Sequence, residues 1–138
     1  MTQARGWRRL AALHNRIEER IERALQEAHG LSVNEYCVLH LLSQQEEHHM
    51  RMQQLAEATV LSQSATTRLV TRLEDRGLLA RYLCATDRRG IYADVTESGL
   101  RLLAEATPTH DDAVKRSLAE AAEHPELAPL VKAVDAVS

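Results

Sequence analysis

Between Met52 and Val95 the spacing of apolar residues changes from a helical period to a strand period, and this restricts the possible folds more than any other feature. Two short helical stretches come first, about Met52 to Ala58 and from Ser62 to about Arg76. Gly77 follows as a left-handed helix stop. Leu78 to Leu83 then reads as a strand and Ala85 to Gly90 as a polar, Arg-rich turn. Ile91 to Val95 reads as a returning strand, with Ile91, Ala93 and Val95 on one face. A two-stranded hairpin is marginal alone, so this one must pack beside the helix pair that precedes it.

The flanks are helical. Trp7, Leu10, Leu13, Ile17, Ile21, Ala24, Leu25 and Ala28 recur at three- and four-residue steps, predicting an amphipathic helix of roughly seven turns stopped at Gly30. Ser32, with Glu35 three residues later, is a capping box opening an apolar helix to about Gln45. Gln44 to His49 reads as a polar loop. Thr96 caps a helix whose stripe is Leu100, Leu103, Ala106, Val114, Leu118 and Ala122; Pro108 inside it is expected to kink or interrupt it. A last helix follows Pro125, carrying Leu127, Leu130, Val131 and Val134. Aromatics are 3%, with no Phe, so the core must be Leu, Ala, Val and Ile, which suits helices. The long first helix and the last apolar stripe look under-buried in a monomer, which predicts an obligate homodimer.

The helix pair has the spacing of a helix-turn-helix. Leu55 and small Ala56 let the second helix approach closely, Val60 and Leu61 cover the turn, and Ser62 caps the second helix. Ala65, Leu69, Val70 and Leu73 face inward. Ser64, Thr67, Arg68, Thr71 and Arg72 remain outside, a short-polar and Arg face suited to a DNA major groove. Helix pairs with these spacings also occur in ordinary bundles. Val60 stands where such turns usually have Gly; because a β-branched residue resists positive φ, a turn wider or differently shaped than the tightest version is expected. The tip Asp87-Arg88-Arg89-Gly90 places two adjacent arginines on a short turn. Asp87 can pair with one and hold it extended toward a minor groove, or the Asp and Gly can serve turn geometry alone. Helix pair and Arg-tipped hairpin in this order make a winged helix: mainly α with a small two-stranded β-wing, and six helices in all.

The formal net charge of -3 argues against a nucleic-acid partner until it is partitioned. Residues 62–92 hold six Arg against three acids, whereas residues 102–138 hold three basic against seven acidic residues. Arg outnumbers Lys fifteen to two; this reads first as genomic codon bias toward Arg, and second as use of the side chain suited to bidentate recognition of phosphate and guanine.

The stretch from Leu61 to Leu79, the Asp87-Arg88-Arg89-Gly90 wing, and Val95, Thr96 and Gly99 resemble the MarR family of bacterial transcription regulators. The resemblance is close over residues 31 to about 104. It implies a homodimeric, sequence-specific DNA-binding regulator on a pseudo-palindromic operator. Residues 1–30 and 100–138 would be dimerisation helices, and 31–99 the winged helix-turn-helix domain. Ser64, Thr67 and Arg68 would approach base edges, and Ser62 and Arg72 phosphates. Arg89, positioned by Asp87, would enter the minor groove, with Arg88 on the backbone. Many family members release DNA when a small, often aromatic, effector binds, so a ligand-responsive repressor is expected.

Other residues carry weaker signals. Oxidation-sensing relatives have a reactive Cys near the start of the first helix, which has none here. Cys37 is expected to be a small buried residue and Cys84 an incidental strand residue. His48 and His49, beside Glu46 and Glu47, read as a solvated loop rather than a metal site. His14, His40 or Tyr36 could serve a ligand pocket, but nothing selects them. No nucleophile–base constellation, Gly-rich phosphate loop or HExxH motif supports an enzyme, and no cofactor is expected. The alternative is a winged-helix protein–protein interaction module, against which Arg88 and Arg89 weigh. Two Cys, the lack of a signal-peptide pattern and the lack of a long apolar run predict a cytoplasmic protein without membrane contact.

Overall fold

Side-chain caps and left-handed stops set half of the helix boundaries, among them both ends of the helix Gln63–Asp75. The computed structural model describes residues 2–83 and 90–138; Met1 and the stretch 84–89 are not described. Six α-helices and three strands are present among the described residues: α1 (Gln3–His29), α2 (Val33–Ser43), β1 (His49–Arg51), α3 (Met52–Thr59), α4 (Gln63–Asp75), β2 (Leu79–Leu83), β3 (Ile91–Val95), α5 (Glu97–Ala121) and α6 (Ala128–Ala136). They divide into two units, Leu31–Ala106 and Met1–Gly30 with Thr107–Ser138.

In the unit Leu31–Ala106, α2 starts with the expected reciprocal cap. Ser32 Oγ accepts the Glu35 amide at 3.0 Å and Glu35 Oε1 accepts the Ser32 amide at 2.8 Å. Val33, Tyr36, Val38, Leu39 and Leu42 of α2 are buried, and α3, α4 and the sheet pack around it. Leu55, Ala56, Leu69, Val70 and Leu73 complete this core from α3 and α4. Each such Leu contributes about 1.5–3 kcal/mol by leaving water. Thr96 joins the end of the sheet to α5: its hydroxyl donates to the Gly77 carbonyl at 2.7 Å and accepts the Gly99 amide at 3.1 Å.

Several local expectations need correction. The sheet is not two-stranded: β1 adds to it in the order β1-β3-β2, all antiparallel, with Met50 opposite Ala93 and Arg81 opposite Ala93 on the other side. The Gln44–His49 segment is therefore a loop only as far as a short 3-10 turn at Glu46–His48, where Glu47 and His48 take φ of 57° and 59°. Three residues are too few to show a period of two. On β3, Ala93 and Val95 are buried but Ile91 is 50% exposed, because it pairs with Leu83 beyond the helical core. Val60 does not widen its turn; it takes φ 57°, ψ 33° as the left-handed end of α3. Pro108 does not interrupt α5, which runs on for about three turns on either side of it.

In the other unit, Leu13 of α1 packs with Ala121, Leu127 and Val131, and Ile17, Leu118 and Leu130 lie against this cluster. α1 ends at Gly30 with φ 63°. His29 Nε2 lies 2.9 Å from Thr109 Oγ1, and Arg20 is ion-paired with Glu120. Trp7 is 67% exposed, and Leu10, Val134 and Val137 are exposed as well.

Candidate nucleic-acid interface

α4 is held by its inner face and displays its outer one. Ser62 caps it by accepting the Ala65 amide at 3.1 Å, and Ser62 Oγ lies 3.3 Å from Ser64 Oγ. Leu69, Val70 and Leu73 fix the buried side. Ser64, Thr67, Arg68 and Arg72 are exposed, as expected for an outward face, and Thr71 is half-buried. Thr67 and Thr71 donate their hydroxyls to the carbonyls of Gln63 and Thr67, at 2.9 and 2.8 Å, which pins both rotamers. Arg68 and Arg72 are one helical turn apart. Neither has an ion-pair partner among the described residues. Exposed Gln63, in the first turn, belongs to the same surface. Its amide can pair with an adenine edge, a residue the helix-turn-helix spacing did not flag.

The sheet is tied to α4. The Arg81 guanidinium on β2 donates to Glu74 Oε1 at 2.8 Å, and the Arg81 amide donates to Oε2 at 3.1 Å. These bonds hold the Glu74 carboxyl below the usual carboxylate range. A second cluster lies on the sheet's outer face. Tyr82 and Tyr92 stack with ring centroids 5.8 Å apart, and His49 meets the Tyr92 ring edge-on at 5.2 Å. Tyr82 Oη lies 2.7 Å from His49 Nδ1. Arg51 Nε donates to Tyr92 Oη at 3.1 Å. Strand β1 thus brings His49 and Arg51 to the wing, a placement that no local pattern announces. β2 and β3 pair out to Leu83 and Ile91. Asp87, Arg88 and Arg89, the expected tip, lie outside the described residues, as does Cys84.

Cys37 is exposed rather than buried, one helical step off the inward face of α2, and it lines a groove with Asn34, His40, Leu41, Ala58 and Thr59. His40 stacks on Tyr36 at 5.9 Å. Among the described residues no group of three metal-ligating side chains converges, and no helix is long and apolar enough to cross a membrane.

Known proteins share this arrangement. The sequence profile of the MarR family matches residues 29–90. The transcriptional regulator MhqR of Bacillus subtilis is 37% identical over 82 residues, covering 59% of this chain and 55% of that protein. The chain spans about half the length of the curated relatives it matches. Two solved structures from Streptomyces coelicolor are similar over nearly the whole chain. One, a MarR family regulator crystallised in complex with DNA, has a TM-score of 0.81 at 27% identity and covers 99% of this chain and 86% of that one. The other, AbsC, has a TM-score of 0.80 at 33% identity and covers 99% of this chain and 93% of that one. Helix pair, capped outward face and antiparallel wing agree with these likenesses: the chain belongs to the MarR family of winged-helix transcriptional regulators.

Proposed function

We propose that the protein binds double-stranded DNA sequence-specifically as a homodimer, and that it acts in the cytoplasm as a repressor released by a small aromatic effector. The observation that carries DNA binding is the outer face of α4: rotamer-fixed threonines beside two arginines that have no ion-pair partner among the described residues. Ser64, Thr67 and Arg68 read base edges in the major groove, while Ser62 and Arg72 contact phosphates. Arg89, held by Asp87, enters the minor groove and Arg88 meets the backbone. Segments 1–30 and 100–138 serve dimerisation and 31–99 serves DNA. The exposed Trp7, Leu10 and Val134 support the dimer, because a monomer leaves them in water. A relative crystallised with DNA supports the partner.

Selection from a randomised DNA pool tests the reading. The expected product is an inverted repeat with half-sites about 10 base pairs apart, bound with steep salt dependence. Arg68→Ala should relax base preference at one position per half-site, costing about 1–3 kcal/mol against the preferred base. Sequence-blind or salt-independent binding would overturn the proposal.

A further inference from the structure

α1 has two unlike long faces. Trp7, Leu10, Ala11 and His14 line one shallow pocket. Roughly half a turn around the helix, at about 3.6 residues per turn, Arg16, Glu19, Arg20 and Arg23 line a second cleft of about 160 Å³, which Ser117 and Glu120 of α5 close. Arg20 is ion-paired with Glu120. Arg16 and Arg23 have no ion-pair partner among the described residues, so two guanidiniums face the remaining Glu19.

Ser117 distinguishes this cleft from an ordinary charged surface. It is 6% exposed, and its Oγ is the buried side-chain polar atom that lacks a hydrogen-bond partner among the described residues. Hydroxyls in helices usually donate to a carbonyl one turn back, as those of Thr59, Thr66, Thr67 and Thr71 do here. The Ser117 hydroxyl makes no such bond, and it lies buried beneath the floor of the cleft that Ser117 lines. A buried donor left unmade is costly. Planar guanidiniums beside it are suited to paired oxygens.

We propose that this cleft binds a small oxyanion, the phosphate or carboxylate group of a metabolite. Ser117 donates one hydrogen bond from the floor, and Arg16 and Arg23 donate from the rim. Glu19 and Glu120 limit the charge the cleft accepts, which disfavours polyphosphates. The volume holds the anionic head group and leaves the rest of the molecule in solvent. The inference stands on α1 and α5 alone and does not depend on what α4 binds.

Arginine side-chain NMR on the full chain tests this, with titration of inorganic phosphate and, separately, acetate at constant ionic strength. Saturable shifts confined to Arg16, Arg20 and Arg23 are expected, and the tighter of the two probes names the head group. Ser117→Ala, which removes an unpartnered polar atom and so should fold well, is expected to weaken binding about three- to tenfold. Arg16→Gln with Arg23→Gln should weaken it by about tenfold or more. Non-saturable shifts with both probes, or wild-type affinity in Ser117→Ala, would overturn the site. So would a double Arg variant that alters self-association in sedimentation while neither anion binds, because the cleft would then take a carboxylate from a second copy of the chain.

Discussion

Helices α3 and α4 end with the same bonding pattern on different residues. At the end of α4, the Gly77 amide donates to Glu74 and the Leu78 amide to Leu73, both at 2.9 Å, with Gly77 at φ 74°. At the end of α3, the Val60 amide donates to Glu57 at 3.3 Å and the Leu61 amide to Ala56 at 3.2 Å, with Val60 at φ 57°. Both are two-bond left-handed stops. Gly adopts the conformation freely, whereas a side chain with Cβ loses about 1–2 kcal/mol there. Val60 is 90% exposed, so packing of its own side chain recovers little of that. The strain is sustained by what lies either side, buried Leu55 and Ala56 before the turn and the Ser62 cap after it. The angle at which α4 leaves α3 is set by the core and not by the turn residue.

The largest expected effect lies above the relaxed joint. A Cβ on Gly99 would stand 2.3 Å from the Leu78 carbonyl oxygen and 2.7 Å from Val95 Cγ2. Gly99→Ala must therefore push α5 off the exit of α4, and urea unfolding should show a loss of about 1–3 kcal/mol. Gly77→Val makes the two joints alike and should cost about 1–2 kcal/mol by the same measurement. Val60→Gly makes them alike in the other direction. Relief of the strain is partly offset by the freer unfolded chain, leaving a gain of up to about 1 kcal/mol. If Val60→Gly instead destabilises as much as Gly77→Val, the joints do not differ as argued.

The smallest effect concerns the clasp that follows the relaxed joint. Folding lowers the pKa of Glu74 through its bonds to Arg81. Its contribution is thus present above the ordinary carboxylate value of about 4.3 and is lost as pH falls through the lowered folded value. Glu74→Gln should be slightly less stable than the native chain near neutrality. The two unfolding midpoints should converge in acid; a gap that widens there would count against the clasp.

What could be read from sequence was local chemistry with a strong signal. The Ser32–Glu35 box, the Ser62 and Thr96 caps and the Gly77 stop each use one residue type for one backbone need, and all stand where expected. The outward face of α4 followed from helical spacing alone. Strand β1 was hidden because its pairing partner lies more than forty residues away and its own three residues carry no alternation. Val60 departs from the steric preference of a β-branched residue because the buried core before it outweighs that preference. Glu74 and Arg81 sit seven residues apart across a left-handed turn, where no helical or strand period would pair them.

Strand β1 has a mechanical consequence. Arg51 ends it and Met52 begins α3, with no residue between them. The sheet is therefore joined to the helix pair covalently at both β1 and the Gly77 turn into β2, and ionically at Glu74 and Arg81. A torque on α3 passes directly into β1 through one peptide bond, so α3 and β1 turn together.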